Sequence, residues 1–386
     1  MNAPMTASSD LPGQFAANLD PALNLLRRLV EIETHSTDKR GVDQLAEFLA
    51  GEFRREGAEA QIMPLAGSGN ALKAVWHGAG SKRQALFLGH LDTVWPRGTV
   101  AGRPFTLKEG KAYGPGVYDM KSGILLCLLV CRALRLGWVR TGGNVAFFFV
   151  PDEETGSAAG LPLLKPIASA SVAVLCLEPP LPGGLAKTSR KGVGTFRVRA
   201  EGIAAHAGVD HVKGANAILE LSRQVVKLEG MTDYTRGITV SVGTMRGGSA
   251  VNVVPAAAEA EVDFRFETPV DGRRLESRVN RMRPKDKRCR LLVEGGINRP
   301  PLERTPAVAD LFEKARTVAA SIGMNLGEGK TGGGSDGSFT AAMGIPTLDG
   351  LGVEGDGAHA VHEYILVEDI PRRAALLSLL AQEVLK

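Results

Sequence analysis

Long apolar runs, dense charge of one sign and paired cysteine motifs are all missing from this chain of 386 residues. No 18-residue stretch is free of charged side chains, so we expect no membrane-spanning helix. The net charge is only +4 and there is no long Lys/Arg run, so we expect no nucleic-acid partner. Internal repeats and low-complexity segments are also missing. These absences favour a soluble globular protein.

The four cysteines, Cys127, Cys131, Cys176 and Cys289, lie in apolar or basic surroundings. We expect them to be buried, reduced thiols, as is usual in a reducing compartment. The first 18 residues, MNAPMTASSDLPGQFAAN, contain neither a basic segment nor an apolar one, so they do not resemble a secretory signal. Together these features favour a cytoplasmic location.

Apolar strands alternate with helices over most of the chain. Strands are predicted over 71–76, 84–88, 144–150, 172–177 and 346–348, and helices over 21–57 (broken at Ser36 and Thr37), 122–136, 307–322 and 370–385. Asp20 and Pro21 have the character of an N-cap and a first helical residue. Continuous apolar strands separated by helices predict an α/β sheet that is covered on both faces.

The pattern changes after residue 191, where strands begin to alternate apolar and polar side chains. Strands are predicted over 194–202, 238–242, 258–266 and 289–294, and helices over 215–228 and 272–282. The order β-α-β-β-α-β is that of a small ferredoxin-like sandwich. We therefore predict an inserted α+β domain at 192–298, within an α/β domain formed by residues 1–191 and 299–386.

Histidines and carboxylates collect where the apolar strands end, which is where sites form in open α/β sheets. They are His90 and Asp92 after one strand, Glu153 and Glu154 after the next, Glu178 after a third, Asp119 in a Gly-rich loop, and His359 in a late loop. Two imidazoles and at least three carboxylates suit two Zn²⁺ ions that share one carboxylate. Mn²⁺ or Co²⁺ would be tolerated by the same ligand types.

Each of these groups also has a plain structural explanation when it is taken alone. Asp119 can cap the helix that follows it, and the acidic triplet that ends in Glu154 is typical of a solvated loop. Their collection at the strand ends of one domain favours a site instead. Within it, successive side chains of an extended Glu153–Glu154 pair point apart, so one can bind metal while the other moves a proton. Asp92 is placed to accept the second N–H of His90.

The motifs GHLDTVWP, GPGVYDMKSG, PDEETGS, LEP, AAHAG, NVVPA with DFR, GGGSDGS and GAH occur in this order. Together they resemble the M20 metallopeptidase family, most closely its glutamate carboxypeptidase (carboxypeptidase G2-like) branch. The resemblance implies a di-zinc hydrolase with two Zn²⁺ per subunit. In it, His90 and Glu178 bind one ion, Glu154 and His359 bind the other, and Asp119 bridges them through a turn with a cis Asp119–Met120 bond.

The resemblance further implies that Glu153 is the general base and that Asp92 orients His90. It makes residues 192–298 a dimerisation, or lid, domain, so a homodimer is expected. His206 would reach the partner subunit's site and stabilise the oxyanion. Asn252 and Arg265 match positions that hold a substrate carboxylate, for which a planar guanidinium is well suited.

The resemblance implies a zinc carboxypeptidase or amidohydrolase that cleaves the amide bond to a C-terminal amino acid, with glutamate (N-acyl-glutamate or folate-like substrates) expected. Thr331 and Gly334, in the stretch KTGGGSDGS, would line the side-chain pocket, and Arg299 would offer positive charge to an acidic side chain. Lys187, Arg190 and Lys191 are further sources of charge, although they fit a solvated hinge equally well. A deacylase of other specificity, a di- or tripeptide aminopeptidase and a non-catalytic binding protein remain as alternatives.

Overall fold

The computed structural model describes residues 10–386. The expectation about a secretory signal rests partly on residues 1–9, which lie outside the described residues. The chain divides into two compact units. The first comprises Met1–Ser189, Arg304–Thr331 and Ser335–Lys386, and the second comprises Arg190–Glu303 with Gly332–Gly334. The predicted insert, 192–298, lies within the second unit, and the short Gly332–Gly334 segment was not anticipated there.

The strands are β1 Glu59–Met63, β2 Ala71–Trp76, β3 Gln84–His90, β4 Thr106–Lys108, β5 Lys111–Tyr113, β6 Asn144–Val150, β7 Ala173–Cys176, β8 Ala186–Arg190, β9 Gly192–Glu201, β10 Thr239–Gly247, β11 Ala257–Phe266, β12 Arg290–Arg299, β13 Glu328–Thr331, β14 Thr347–Leu348, β15 Gly355–Asp356 and β16 Tyr364–Leu366. The helices are α1 Leu11–Ala16, α2 Leu19–Glu31, α3 Lys39–Arg55, α4 Thr99–Gly102, α5 Ser122–Arg135, α6 Leu161–Ser169, α7 Ala217–Glu229, α8 Pro269–Asn280, α9 Pro306–Ser321, α10 Gly337–Ala342 and α11 Asp369–Val384.

A six-stranded sheet in the order β1-β2-β6-β3-β7-β14 forms the centre of the first unit. Strands β6, β3, β7 and β14 run parallel to one another, whereas β2 runs antiparallel to both of its neighbours, β1 and β6. A smaller antiparallel sheet has the order β15-β16-β5-β4, and β8 pairs with β13. Because β3, β6 and β7 are parallel, their carboxyl ends lie at one edge of the large sheet.

Alternate side chains of the central strands pack into two different cores. In β6, Phe147 and Phe149 join helices α3, α5 and α11, while Phe148 and Val150 pack with α6 on the opposite face. Phe53 of α3 lies 4.9 Å, between ring centroids, from Phe147. Each such side chain contributes about 1.5–3 kcal/mol when it is fully buried. The run NVAFFFV is apolar throughout because both of its faces are covered.

The second unit has an antiparallel sheet in the order β10-β11-β9-β12, with α7 and α8 packed on one face. Strand β11 alternates strictly, with Val262, Phe264 and Phe266 buried against the helices. Their rings leave no room for side chains opposite: a Cβ on Gly194 would lie 2.1 Å from Phe264 Cζ. The α/β fold with an inserted ferredoxin-like α+β unit is confirmed.

Smaller expectations have mixed outcomes. All four cysteines are free and buried, as predicted. Helix α2 begins at Leu19 with Asn18 in the capping position, so Asp20 lies in the first turn and not at the cap. None of the helices between residues 10 and 386 combines the length and the apolar composition that crossing a bilayer requires.

Candidate metal centre and active site

Three parallel strands deliver three of the predicted ligands to one edge of the sheet. His90 is the last residue of β3. Glu154 lies in a 3₁₀ turn, Glu153–Thr155, shortly after β6, and Glu178 follows β7. The register pairs β3 with both neighbours, with His90 opposite Val150, so these side chains start from the same level. The sheet itself therefore assembles three of the five predicted ligands.

Loops that start from the smaller sheet deliver the other two residues. Asp119 lies in an irregular turn, Val117–Lys121, between β5 and α5, and the Asp119–Met120 peptide bond is cis, as expected. His359 lies in the hairpin loop between β15 and β16 with a φ of 62°. A left-handed conformation is uncommon for a residue with a Cβ and is found most often in turns and at functional sites.

The side chains of the other four predicted ligands meet around Asp119. Its Oδ1 lies 3.2 Å from His90 Nε2, and its Oδ2 lies 3.4 Å from His359 Nε2. Each imidazole also meets a second carboxylate: Glu178 Oε1 is 3.7 Å from His90 Nε2, and Glu154 Oε2 is 3.2 Å from His359 Nε2. One ligand atom from each of His90, Asp119 and Glu154 lies within 4.8 Å of the others. Asp119 is thus the central carboxylate, with an imidazole–carboxylate pair on either side.

The charges of this cluster fit a cation. Burial works to lower the pKa of His90, but hydrogen bonds with Asp119 and Asp92 and the charge of Glu178 raise it well above its ordinary value. Hydrogen bonds with Asp119 and Glu154 raise the pKa of His359 to about 10. Carboxylates that hold protons on neighbouring imidazoles also favour a metal ion, which replaces those protons when it binds. Imidazole nitrogens and carboxylate oxygens are the donor types that Zn²⁺ takes in proteins.

Asp92 organises the cluster from behind. Its carboxylate accepts the N–H groups of Glu153 (3.0 Å) and Glu154 (3.2 Å) and the hydroxyl of Ser36 (2.7 Å). The nearest acceptor for Nδ1 of His90 is the main-chain oxygen of Asp92, at 2.9 Å, while the carboxylate is 3.4 Å away. The expected orienting contact therefore comes from the residue's carbonyl, because its carboxylate holds the acidic turn.

The Glu153–Glu154 pair is not extended, as the alternation argument assumed, but forms a 3₁₀ turn. With three residues per turn, successive side chains still point about 120° apart. Glu154 contacts His359, and the main chain of Glu153 is fixed by Asp92. A division of labour between the two carboxylates is compatible with this turn.

In the second unit, Arg265 lies on the face of β11 opposite the helices. Asp263 accepts hydrogen bonds from its Nε (2.8 Å) and Nη2 (2.7 Å), and the main-chain oxygen of Gly332 accepts from Nη1 (3.3 Å). The two contacts with Asp263 use the side of the guanidinium formed by Nε and one N–H of Nη2, and the contact with Gly332 uses one N–H of Nη1. The end-on edge of a guanidinium, formed by one N–H of Nη1 and one of Nη2, has the geometry that binds a carboxylate through both oxygens.

His206 and Asn252 lie on two paired segments of the second unit. His206 forms a β-bridge with Val253, and the N–H of Ala207 donates to the oxygen of Asn252 at 2.9 Å. Nδ1 of His206 accepts the N–H groups of Gly208 and Val209, each at 3.2 Å. In a neutral imidazole the proton is then on Nε2. The exposed ring therefore presents a donor.

The remaining substrate-binding predictions fall around the Gly332–Gly334 segment. Arg299 is buried, and its Cδ lies 3.0 Å from where a Cβ on Gly334 would stand. Thr331 ends β13 in the first unit. Arg190 is 4% exposed and donates to the carbonyls of Gly333 and Gly334. Since Lys187 is buried too, the solvated-hinge explanation is wrong for both of these basic residues.

Sequence reasoning assigned no site role to three residues that hydrogen-bond with predicted site residues or their turns: Ser36, Asp263 and Glu363. Ser36 was assigned only to a helix break, yet its hydroxyl binds Asp92. Asp263 is the first residue of the DFR motif but was assigned no role, although its place two residues before Arg265 puts both on one face of the strand. Glu363, four residues after His359, accepts hydrogen bonds from the Asp119 turn. The available signal in the last two cases was the short spacing to a predicted site residue, Arg265 for Asp263 and His359 for Glu363.

Comparison with known proteins gives concordant matches. The model of peptidase family M20/M25/M40 matches residues 86–383. Carboxypeptidase G2 of Pseudomonas sp. (strain RS-16) is 30% identical over 381 residues, which cover 96% of this chain and 91% of that protein. Succinyl-diaminopimelate desuccinylase of Acinetobacter baumannii (strain AYE) is 27% identical and covers 74% of this chain and 79% of its own. The crystal structure of aminopeptidase PepT from Bacillus cereus ATCC 10987 superposes with a TM-score of 0.79 at 22% identity, covering 95% of this chain and 99% of that chain.

Proposed function

The chain belongs to peptidase family M20/M25/M40, and we propose that it is a two-metal hydrolase that cleaves the amide bond to a C-terminal amino acid with a free carboxylate. The observation that carries the proposal is the position of Asp119. Its two oxygens face two different imidazoles, each of which has a further carboxylate beside it. A carboxylate shared between two metal ions needs this arrangement.

We assign His90 and Glu178 to one ion, Glu154 and His359 to the other, and Asp119 to both. Zinc is the proposed metal, and Mn²⁺ or Co²⁺ would use the same ligands. When bound, the ions would polarise the scissile carbonyl and acidify the attacking water. Glu153 takes the proton of the water and passes it to the leaving nitrogen. His206 carries its proton on Nε2 when the ring is neutral. Its Nε2–H stabilises the oxyanion from the second copy of a homodimer.

We further propose that the preferred C-terminal residue is glutamate. Arg265 and Asn252 bind the α-carboxylate, and Arg299, Thr331 and Gly334 surround the side chain. The 30% identity with carboxypeptidase G2 along nearly the whole chain supports a carboxypeptidase over an aminopeptidase. The buried cations Arg299 and Arg190 beside the Gly332–Gly334 segment support an acidic side chain, because buried cations stabilise a carboxylate nearby.

The first test compares N-acetyl-glutamate, N-acetyl-leucine and a free dipeptide as substrates of the zinc-loaded protein. We expect N-acetyl-glutamate to be cleaved fastest and a chelator to abolish cleavage, with zinc restoring it. The release of the free amino acid is followed by a ninhydrin-type assay. Faster cleavage of N-acetyl-leucine would contradict the preference for glutamate and indicate an amidohydrolase of other specificity. Cleavage of the free dipeptide alone would show an aminopeptidase, and chelator-resistant cleavage would contradict the metal centre.

A homodimer is proposed through the β10 edge of the second unit. Among residues 10–386, strand β10 pairs with β11 alone. Large apolar side chains near it are exposed: Val226 and Leu219 of α7, seven residues apart on one helix face, and Met245 of β10. Exposed apolar side chains beside an open strand edge are typical of a pairing surface.

Substitution of Val226 with glutamate is therefore expected to weaken dimerisation about 10-fold or more, since a charge would be desolvated in the interface. Sedimentation velocity over a concentration series measures the dimer dissociation constant. Val270→Glu is the matched control, because Val270 is also exposed, at 56% against 74% for Val226, but lies on α8, which packs toward the β12 edge. Equal effects of both substitutions, or a wild-type monomer, would contradict this surface.

A further inference from the structure

Glu363 is a buried carboxylate beside the candidate metal centre to which no chemistry has been assigned so far. It is 1% exposed and lies between the His359 loop and strand β16. Strand β16 pairs with β5 in a register that places Tyr364 opposite Tyr113. The chain leaves β5 directly into the loop that carries Asp119. The pairing of two short strands therefore brings Glu363 against the main chain of that loop.

The carboxylate of Glu363 accepts four hydrogen bonds. Oε1 accepts the N–H groups of Tyr118 (2.9 Å) and Asp119 (3.0 Å). Oε2 accepts the N–H of Gly116 (2.9 Å) and the indole N–H of Trp95 (2.9 Å). Three of the four donors belong to one stretch of main chain. Hydrogen bonds from neutral donors to an ionised carboxylate are stronger than those between neutral groups.

These contacts bear on the metal centre because they hold the turn that carries Asp119. Its turn departs from helical geometry, with φ and ψ of −117° and 96° at Asp119. Its side chain must place one oxygen near His90 and the other near His359, and these come from different sheets. Glu363 holds the N–H of Asp119 itself and lies four residues after His359 in sequence. One carboxylate thus links the loops of two proposed ligands.

We propose that Glu363 is a positioning residue for the metal centre, whose carboxylate fixes the Gly116–Asp119 main chain so that Asp119 lies between His90 and His359. The inference rests on the proposed function and deepens it, since it concerns how the shared carboxylate is held. Glu363 contacts no reacting atom and binds no metal. It acts through Asp119, as the hydrogen-bond partners of metal ligands do elsewhere.

A purely structural role is the competing explanation. In the second unit, Glu220 is fully buried and accepts the N–H groups of Lys285 and Asp286, far in sequence from every predicted ligand. Such a carboxylate stabilises the turn whose N–H groups it accepts. The experiment must therefore read out the metal centre separately from the stability of the fold.

The test is Glu363→Gln, measured by Co²⁺ titration of the metal-free protein and by the visible absorption spectrum of the Co²⁺ form. Glutamine keeps the shape but sets an NH₂ group against two N–H donors. We expect Co²⁺ affinity to fall about 10- to 100-fold and the absorption bands to shift. The matched control is Asp369→Asn. Asp369 is a buried carboxylate six residues later that accepts the N–H of Glu354 and a side-chain N–H of Arg373. This control is expected to lower the melting temperature and leave affinity and spectrum unchanged.

Glu363→Asp provides a second variant that keeps the charge but draws the acceptor back by one methylene. We expect a smaller loss of Co²⁺ affinity in the same direction, so the inference stays testable even if Glu363→Gln does not fold. Unchanged affinity and spectrum in a folded, destabilised variant would overturn the positioning role and leave the proposed function intact. A wild-type protein that binds no Co²⁺ would instead overturn the proposed function, and this inference with it.

Discussion

Replacement of Glu153 with glutamine is expected to lower kcat by about 10²–10⁴-fold, the usual contribution of a general acid–base group, with metal content unchanged. Glutamine has nearly the same shape but cannot take a proton from water. The N–H of residue 153 would still donate to Asp92, so the turn that places Glu154 should persist. Steady-state kinetics on N-acetyl-glutamate, together with metal analysis of the same sample, measure both quantities.

The adjacent Glu154→Gln substitution is the matched control, because it removes the same charge one residue away. Glu154 contacts His359, so its loss is expected to lower both metal content and activity. Glu153→Gln is therefore expected to lower kcat alone, whereas Glu154→Gln is expected to lower the metal content as well. A Glu153→Gln protein with wild-type kcat, or one that loses metal as Glu154→Gln does, would remove Glu153 from the role of base.

The large elements were predictable because each is determined by its own periodicity. Strands 71–76 and 144–150 have the predicted limits, and the insert shows its β-α-β-β-α-β order through the spacing of its apolar residues. The short strands of the smaller sheet were not predicted. β15, with two residues, and β5, with three, have no periodicity to detect, and they exist because β16 brings them together. Yet these strands place His359, Glu363 and Asp119, so two of the five predicted ligands are carried by loops of strands that could not be predicted.

A similar division holds for the side chains of the site. Candidate ligands were visible because histidines and carboxylates stand out after apolar strands. The residues that hold them were not, since Ser36 is 56 residues away from Asp92 in sequence and Glu363 is 244 residues from Asp119. Only the fold brings such pairs together. Sequence also could not show that Asp263 occupies one side of the Arg265 guanidinium.

That contact bears on the proposed role of Arg265 as the residue that binds the substrate's α-carboxylate. With Nε and one N–H of Nη2 donated to Asp263, and Nη1 donating to Gly332, the guanidinium is held in one orientation before a ligand arrives. Asp263 also partly neutralises the positive charge of Arg265. A ligand would therefore be bound through hydrogen-bond geometry as well as through charge. An α-carboxylate on the end-on edge makes two parallel hydrogen bonds, whereas an α-carboxamide can make only one. Lysine would offer the charge without this planar edge.

Substitution of Arg265 with glutamine is therefore expected to lower kcat/KM for N-acetyl-glutamate about 100-fold, or roughly 3 kcal/mol, mainly through KM. The decisive measurement is the ratio of kcat/KM between this substrate and its α-carboxamide, N-acetyl-isoglutamine. Wild-type protein should strongly prefer the acid, and Arg265→Gln should lose most of that preference because the group that distinguishes the two is gone. Arg265→Lys should keep only a small part of the preference for the acid.

Arg197→Gln is the control, because Arg197 lies on the same sheet face and pairs with Glu261. If the preference for the acid survives in Arg265→Gln, the carboxylate is bound by another residue, and Asn252 becomes the first to replace.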